Sequence, residues 1–251
     1  MPVQRDDLAQ YLHEFLNVDV FKDYCPNGLQ VEGKAQINKI VYGVSASLKL
    51  IEAAVEAQAD AIVVHHGLFW RGQDGRIVGW MKQRIQQLLT NDMSLYAYHL
   101  PLDGHAIVGN NAMLARGLGV DAALTFVGDQ NIIATSHFPK AVELRALGQK
   151  VNRLLSRESL IIPGDGRMIH KIGICSGGAQ GYFEAAIAVG VDAFITGEIS
   201  EPQTHLARET GVAYIAGGHH ATERLGIQAL AKHIDEKFEL DGGYIEISNP
   251  A

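Results

Sequence analysis

The chain has 251 residues, 47% hydrophobic and 20% charged, an ordinary globular balance with room for one large domain or two small ones. Its net charge of -7 opposes nucleic acid and anionic membranes, so DNA is disfavoured as a partner. No apolar stretch is long enough to span a bilayer, and the opening MPVQRDDLAQ has no apolar signal core, so a cytoplasmic protein without a membrane partner is expected. Cys25 and Cys175 are the only cysteines and are expected as free thiols.

Residues 6–17 place Leu8, Tyr11, Leu12, Phe15 and Leu16 at i, i+3, i+4 spacing, which predicts an amphipathic helix capped by Asp6. In YCPNGLQVEG the turn signal Pro26-Asn27-Gly28 precedes a short strand at 29–31. Nothing near Cys25 in sequence lowers its pKa, so it reads as inert. A strand at 39–44, a helix at 48–57 capped by Ser47 and a strand starting at Asp60 make a βαβ unit with a parallel pair. In DAIVVHHGLFW four apolar residues run into His65 and His66. That pattern predicts a strand buried on both faces, ending where open α/β sheets place ligands. A helix at 76–90 leads to a strand at 94–98 and then to HLPLDGH. Pro101 breaks a helix there, so His99 and Asp103 are expected on a loop. A helix at 109–118 follows.

Residues 125–167 differ in character, with strands at 132–136 and 159–162 around a helix at 141–155. The opening pattern then returns. Shifted by 132 positions, residues 39–64 lie on 171–196 without a gap, with seven identities in 26 positions. A strand at 212–216 reaches GGHHATE and a helix to Ile234. The expected fold is α/β, with two similar α/β halves facing each other across a metal-binding cleft. The halves span residues 1–124 and 168–251, with 125–167 as a connecting segment.

Chemistry gathers at the strand ends. His219 and Glu223 are i, i+4 at a helix start and project to one side, with Gly217-Gly218 permitting the turn before them. With His65, His66 and Asp103 they offer five ligands, and His99 is a possible sixth. A single catalytic zinc needs three protein ligands, so the count fits two ions roughly 3.5–4 Å apart. Imidazole and carboxylate suit Zn, Fe, Mn, Co or Ni, and no thiolate is expected at these loops. His105 and His220 are candidates for supporting the ligands. Glu198 is the repeat equivalent of His66, either a general base in the cleft or a surface carboxylate. The glycines of CSGGAQGYFEAA form either a phosphate-holding turn or a simple one. His13, His137, His170, His205 and His233 read as surface or structural.

Together DAIVVHHGLFW, YHLPLD, GNNAMLA, DAFITGE and GGHHATE resemble the Nif-three-like family, whose members are often labelled GTP cyclohydrolase I type 2 homologues. The resemblance runs from NGLQVEG to the end and matches the short bacterial form. It implies a dinuclear centre held by His65, His66, Asp103, His219 and Glu223, with Glu223 bridging, and a homohexamer built as a trimer of dimers. The implied activity is metal-dependent hydrolysis of a small nucleotide-like substrate, GTP ring opening in the family label. Glu198, His99 and His220 are then the proton shuttles. The alternative is a non-catalytic metal-handling or regulatory ring protein.

Overall fold

Continuous apolar runs become strands and amphipathic runs become helices in the computed structural model, which describes residues 2–251. The strands are β1 (Val3–Gln4), β2 (Gly28–Val31), β3 (Gln36–Ile37), β4 (Lys39–Ser45), β5 (Ala61–His66), β6 (Ser94–Ala97), β7 (Thr125–Val127), β8 (Ile133–Val142), β9 (Leu160–Ile162), β10 (Ile169–Ile174), β11 (Ala193–Thr196), β12 (Ala213–Ala216) and β13 (Asp241–Tyr244). The α-helices are α1 (Arg5–Phe15), α2 (Leu48–Glu56), α3 (Gly79–Thr90), α4 (Leu100–Gly104), α5 (Asn110–Gly117), α6 (Leu144–Leu155), α7 (Phe183–Ala188), α8 (Glu201–Thr210) and α9 (His219–Phe238). Among the described residues no helix is long and apolar enough to cross a membrane.

The chain divides into two compact units. The first comprises residues 2–102 and Ile227–Ser248. Its five-stranded sheet has the order β13-β4-β5-β6-β2, with β4, β5 and β6 parallel and β2 antiparallel at one edge. Its core is Val41, Ile62, Val64 and Leu95 from the strands against Leu50, Ile51, Ala54, Ile85 and Leu88 from α2 and α3. The second unit comprises Asp103–Gly226 and Asn249–Ala251. Its six-stranded sheet has the order β7-β8-β10-β11-β12-β9, with β10, β11 and β12 parallel. Its core sets Ile172, Ile174, Ile195 and Ile215 against Leu114, Leu147, Val151 and Leu155.

The 132-residue shift appears as strand register. Ile40 pairs with Ala61 and Tyr42 with Val63 in the first unit, and Ile172 pairs with Ala193 and Ile174 with Ile195 in the second. The shared aspartates have one job in both units. The Asp60 carboxylate accepts from the Asn38 and Lys39 backbone N–H groups at 2.9 and 3.2 Å. Asp192 accepts from those of His170 and Lys171 at 2.9 and 2.8 Å. Each aspartate thus ties the start of its own strand to the start of the preceding one, satisfying backbone donors that the ladder leaves open.

Ser47 caps α2 as expected, its side chain accepting from the Leu50 N–H. Asp6 does not cap α1. It lies in the first turn and binds Arg5 at 2.8 Å. The largest correction is at Pro101, where Leu100–Gly104 is a helical turn, α4, that carries Asp103, while His99 lies just before it and outside the helix, as expected. Proline is tolerated in a first turn because the N–H it lacks would have had no intrahelical partner. The connecting segment adds three strands, β7, β8 and β9, to the second sheet. Strand β8 runs on to Val142 past Pro139, which lies where the pairing with β10 shifts register. Helix α8 was not expected, although Ser200 and Gln203 form a capping box at its start.

Candidate metal centre

In the first unit the end of β5 and the start of α4 bring three imidazoles together. The His65 and His66 rings lie 4.5 Å apart, and that of His99 lies 5.1 and 5.7 Å from them. Each offers a ring nitrogen within 4.8 Å of the others. All three are pinned from behind through Nδ1. His65 Nδ1 is 2.9 Å from the Tyr98 carbonyl, His66 Nδ1 is 3.0 Å from Ser45 Oγ, and His99 Nδ1 is 3.0 Å from Asp23 Oδ1. A carbonyl only accepts, so Nδ1 of His65 carries the proton and Nε2 presents the lone pair, the tautomer a metal requires.

Asp23 is the hub of this arrangement. Its carboxylate also accepts from the Tyr24 N–H, Asn27 Nδ2 and the Leu100 N–H, and Asn27 Oδ1 accepts from the His99 N–H. Burial pushes the Asp23 carboxyl up, but the His99 and Asn27 side chains and the Leu100 N–H outweigh it and hold the group well below the usual carboxylate range. Cys25 places its sulfur within 4.8 Å of Asp23 and His99 ligand atoms, so a thiol is at hand after all.

In the second unit the corresponding strand ends carry carboxylates. Gly218, at φ +97°, makes the turn from β12 into α9, where His219 and Glu223 stand one turn apart. Glu198 Oε1 is 2.7 Å from His219 Nδ1, and Glu223 Oε1 is 3.2 Å from His219 Nε2. Burial pulls the His219 imidazole down, but its bonds to Glu223 and Glu198 and their charges push it up to about 9. Gln180 Nε2 holds the other Glu198 oxygen at 3.2 Å. A Cβ on Gly177 would come within 2.1 Å of Glu223 Oε1, so only glycine lets the backbone approach this carboxylate. Asp103 is buried, and its Oδ1 accepts from Ser176 Oγ at 2.8 Å and Asn110 Nδ2 at 2.9 Å. Burial, and after it the charges of Asp103 and Glu223, push the Cys175 thiol well up and keep it protonated.

The profile of the Duf34/NIF3 (NGG1p interacting factor 3) family matches residues 3–250. The chain belongs to the DUF34/NIF3 family. It is 46% identical to a GTP cyclohydrolase 1 type 2 homolog of Pseudomonas aeruginosa, with 100% of both chains covered. It is 47% identical to one of Neisseria meningitidis, covering 99% of this chain and 100% of that one. A solved structure described as protein ybgI, of unknown function, superposes with a TM-score of 0.94 at 43% identity over 99% of this chain and 100% of that one. Reduced HcgD of Methanocaldococcus jannaschii shares the fold, with a TM-score of 0.87 at 19% identity over 98% of this chain and 99% of that one.

In this DUF34/NIF3 chain the scattered histidines lie elsewhere. His233 stacks on Phe15 at 4.0 Å, and His205 pairs with Glu201. His105 Nδ1 accepts from the Ile107 and Val108 N–H groups, and the His220 N–H donates to the Ala251 carbonyl. The residues missed from sequence are the positioners. Asn110 and Asn111 are fully buried, and Asn111 Oδ1 accepts from the Ser176 N–H while Asn110 holds Asp103. Two adjacent asparagines inside an apolar helix face are the signal that marks them. For Asp23, 76 residues from His99, no local pattern exists.

Proposed function

We propose that this protein is a dinuclear metal-dependent hydrolase of a small nucleotide-like substrate. His65, His66, Asp103, His219 and Glu223 would hold two divalent transition ions, from among Zn, Fe, Mn, Co and Ni. The observation that carries the reading is the pinning of His65, His66, His99 and His219 through Nδ1, which leaves Nε2 as the ring nitrogen each can present to an ion. The second support is a pair of buried carboxylates, Asp103 and Glu223, on the second unit. Imidazole and carboxylate donors fit such ions. When bound, a pair of ions lowers the pKa of a water and polarises the group it attacks.

The chain's own residues supply orientation and proton movement. Glu198 accepts the His219 Nδ1 proton and keeps Nε2 directed toward Glu223. His99, backed by the Asp23 carboxylate, is suited to take and return a proton at Nε2. His220, at the start of α9, is the third candidate for proton transfer. The names of the relatives support a nucleotide-like substrate, GTP among them. The inferred assembly is a cytoplasmic homohexamer, a trimer of dimers, which sedimentation would test.

Metal analysis with a turnover screen of metal-loaded protein on GTP and other nucleotides tests the reading. Two ions per chain and turnover lost in Glu223→Ala are expected. Bound metal with no turnover on any nucleotide would leave the metal-handling alternative in its place.

A further inference from the structure

We propose that a hollow beside the three imidazoles is a subsite for a flat heteroaromatic ring carrying an anionic arm. It has a volume of about 410 Å³ and is lined by Asp23, Tyr24, Cys25, Pro26, Phe69, Trp70 and Arg71. That is the size of ordinary ligand pockets, which run ~300–1,000 Å³.

Two rings on its wall, Tyr24 and Trp70, lie 5.7 Å apart, tilted by 37°, in contact with each other, so a ligand ring stacks on the pair rather than between its members. His99, outside the lining, stands edge-on to both at 5.0 and 5.1 Å and backs them. The Trp70 ring also reaches within 5.9 Å of His66, which puts a stacked ring next to the imidazole cluster. Tyr24 is 50% exposed, an aromatic surface left open to solvent beside a polar site.

The wall is fixed, not loose. The Arg71 N–H donates to the Tyr24 carbonyl at 2.7 Å, and Arg71 Nη2 donates to the Asp23 carbonyl at 2.9 Å. These bonds join the two loops and hold the guanidinium at the rim, with donors on its other nitrogens to meet a phosphate or carboxylate. The Asp23 carboxylate keeps its charge, but it is buried and its oxygens accept from Tyr24, Asn27, His99 and Leu100, so Arg71 is the charge exposed at the rim. Stacking rings with one fixed cation select a base or similar ring joined to an anion over either part alone. This assignment rests on the nucleotide-like substrate proposed above, and it adds where the ring and the anion sit.

Trp70 and Trp80 are the only tryptophans, so Trp80→Phe leaves Trp70 as the sole reporter. The probes are GMP, guanosine and ribose 5-phosphate, titrated into chelator-treated protein while Trp70 fluorescence is followed. GMP is expected to quench Trp70, guanosine to bind about 10-fold more weakly for want of the charged hydrogen bond, and ribose 5-phosphate to leave the signal unchanged. Tyr24→Ala, at an exposed position, should weaken GMP roughly 5- to 100-fold, the worth of a base–aromatic stack. Arg71→Gln should erase the preference for GMP over guanosine, and Arg71→Lys should keep part of it. The subsite is overturned if millimolar GMP leaves Trp70 unquenched, if both the Tyr24 and Arg71 variants bind as the parent does, or if ribose 5-phosphate competes as well as GMP. Binding without metal-dependent turnover would sink the hydrolase reading and leave the subsite standing. Turnover with unchanged KM in the Tyr24 and Arg71 variants would do the reverse.

Discussion

The two sheets share a frame and differ in what they carry. Strands β4 and β5 of the first unit pair in the same register as β10 and β11 of the second, and each is tied at its start by an equivalent aspartate. At their other ends the chemistry diverges. The pair His65-His66 ends β5, whereas Gly197-Glu198 follows β11 at the equivalent positions. One frame therefore presents imidazoles pinned by a carbonyl, a hydroxyl and a carboxylate. The other presents a carboxylate that itself pins an imidazole at the start of α9. A β–α–β frame fixes where a strand ends, and the residues just beyond it remain open to change without cost to the core.

The largest expected effect tests the shared frame. Ile62 and Phe194 occupy equivalent places and are both fully buried. Truncation to alanine should cost about 2–5 kcal/mol at Ile62 and about 3–5 kcal/mol at Phe194, read by chemical denaturation. A neutral result at either position would mean that the two cores are not equivalent.

Next come the differing ends. Glu223→Ala should reduce metal affinity by more than the roughly 10- to 100-fold that loss of a supporting partner costs, measured by competition with a chelator dye. Retention of full affinity would remove Glu223 from the ligand set. Glu198→Ala should fall within that roughly 10- to 100-fold range, because it frees the His219 ring to turn, and Glu198→Gln should recover part of the loss by keeping an acceptor for Nδ1. Equal losses for Ala and Gln would show that charge, not orientation, is what Glu198 supplies.

The smallest effect concerns the aspartate of the first unit. Burial pushes the Asp60 carboxyl up, but Lys34 and the Asn38 and Lys39 N–H groups outweigh it and leave the group below its ordinary value of 3.8. A carboxyl depressed in the folded state contributes stability above its unfolded pKa and loses it as pH falls through the folded pKa. Stability of the parent should therefore decline below about pH 4 with a contribution that Asp60→Asn removes. A parallel acid profile for the variant would show that Asp60 acts through its hydrogen bonds alone.

The parallel strands, helix α2 with its Ser47 cap and the 132-residue correspondence were legible because each depends on residues close in sequence. Continuous apolar runs such as Ala61–Val64 have few alternatives to a buried strand, and a serine before an amphipathic run caps it wherever the helix packs. The histidines and carboxylates at the strand ends were legible for the same reason. Other features were decided only by tertiary contacts. Asp23 caps α4 through the Leu100 N–H, so a segment that Pro101 marked as a loop begins as a helix. Strand β13, with sequence DGGY, has no strand pattern of its own and forms because β4 offers a parallel edge. A Cβ at its Gly242 would meet Asp235 Oδ1 at 2.1 Å, and Asp235 in turn accepts from the Tyr42 hydroxyl. The choice of Nδ1 partner for each histidine belongs to this second group. The sequence determines which residues can bind a metal, but the atom each one presents depends on a carbonyl, hydroxyl or carboxylate that only folding brings beside it.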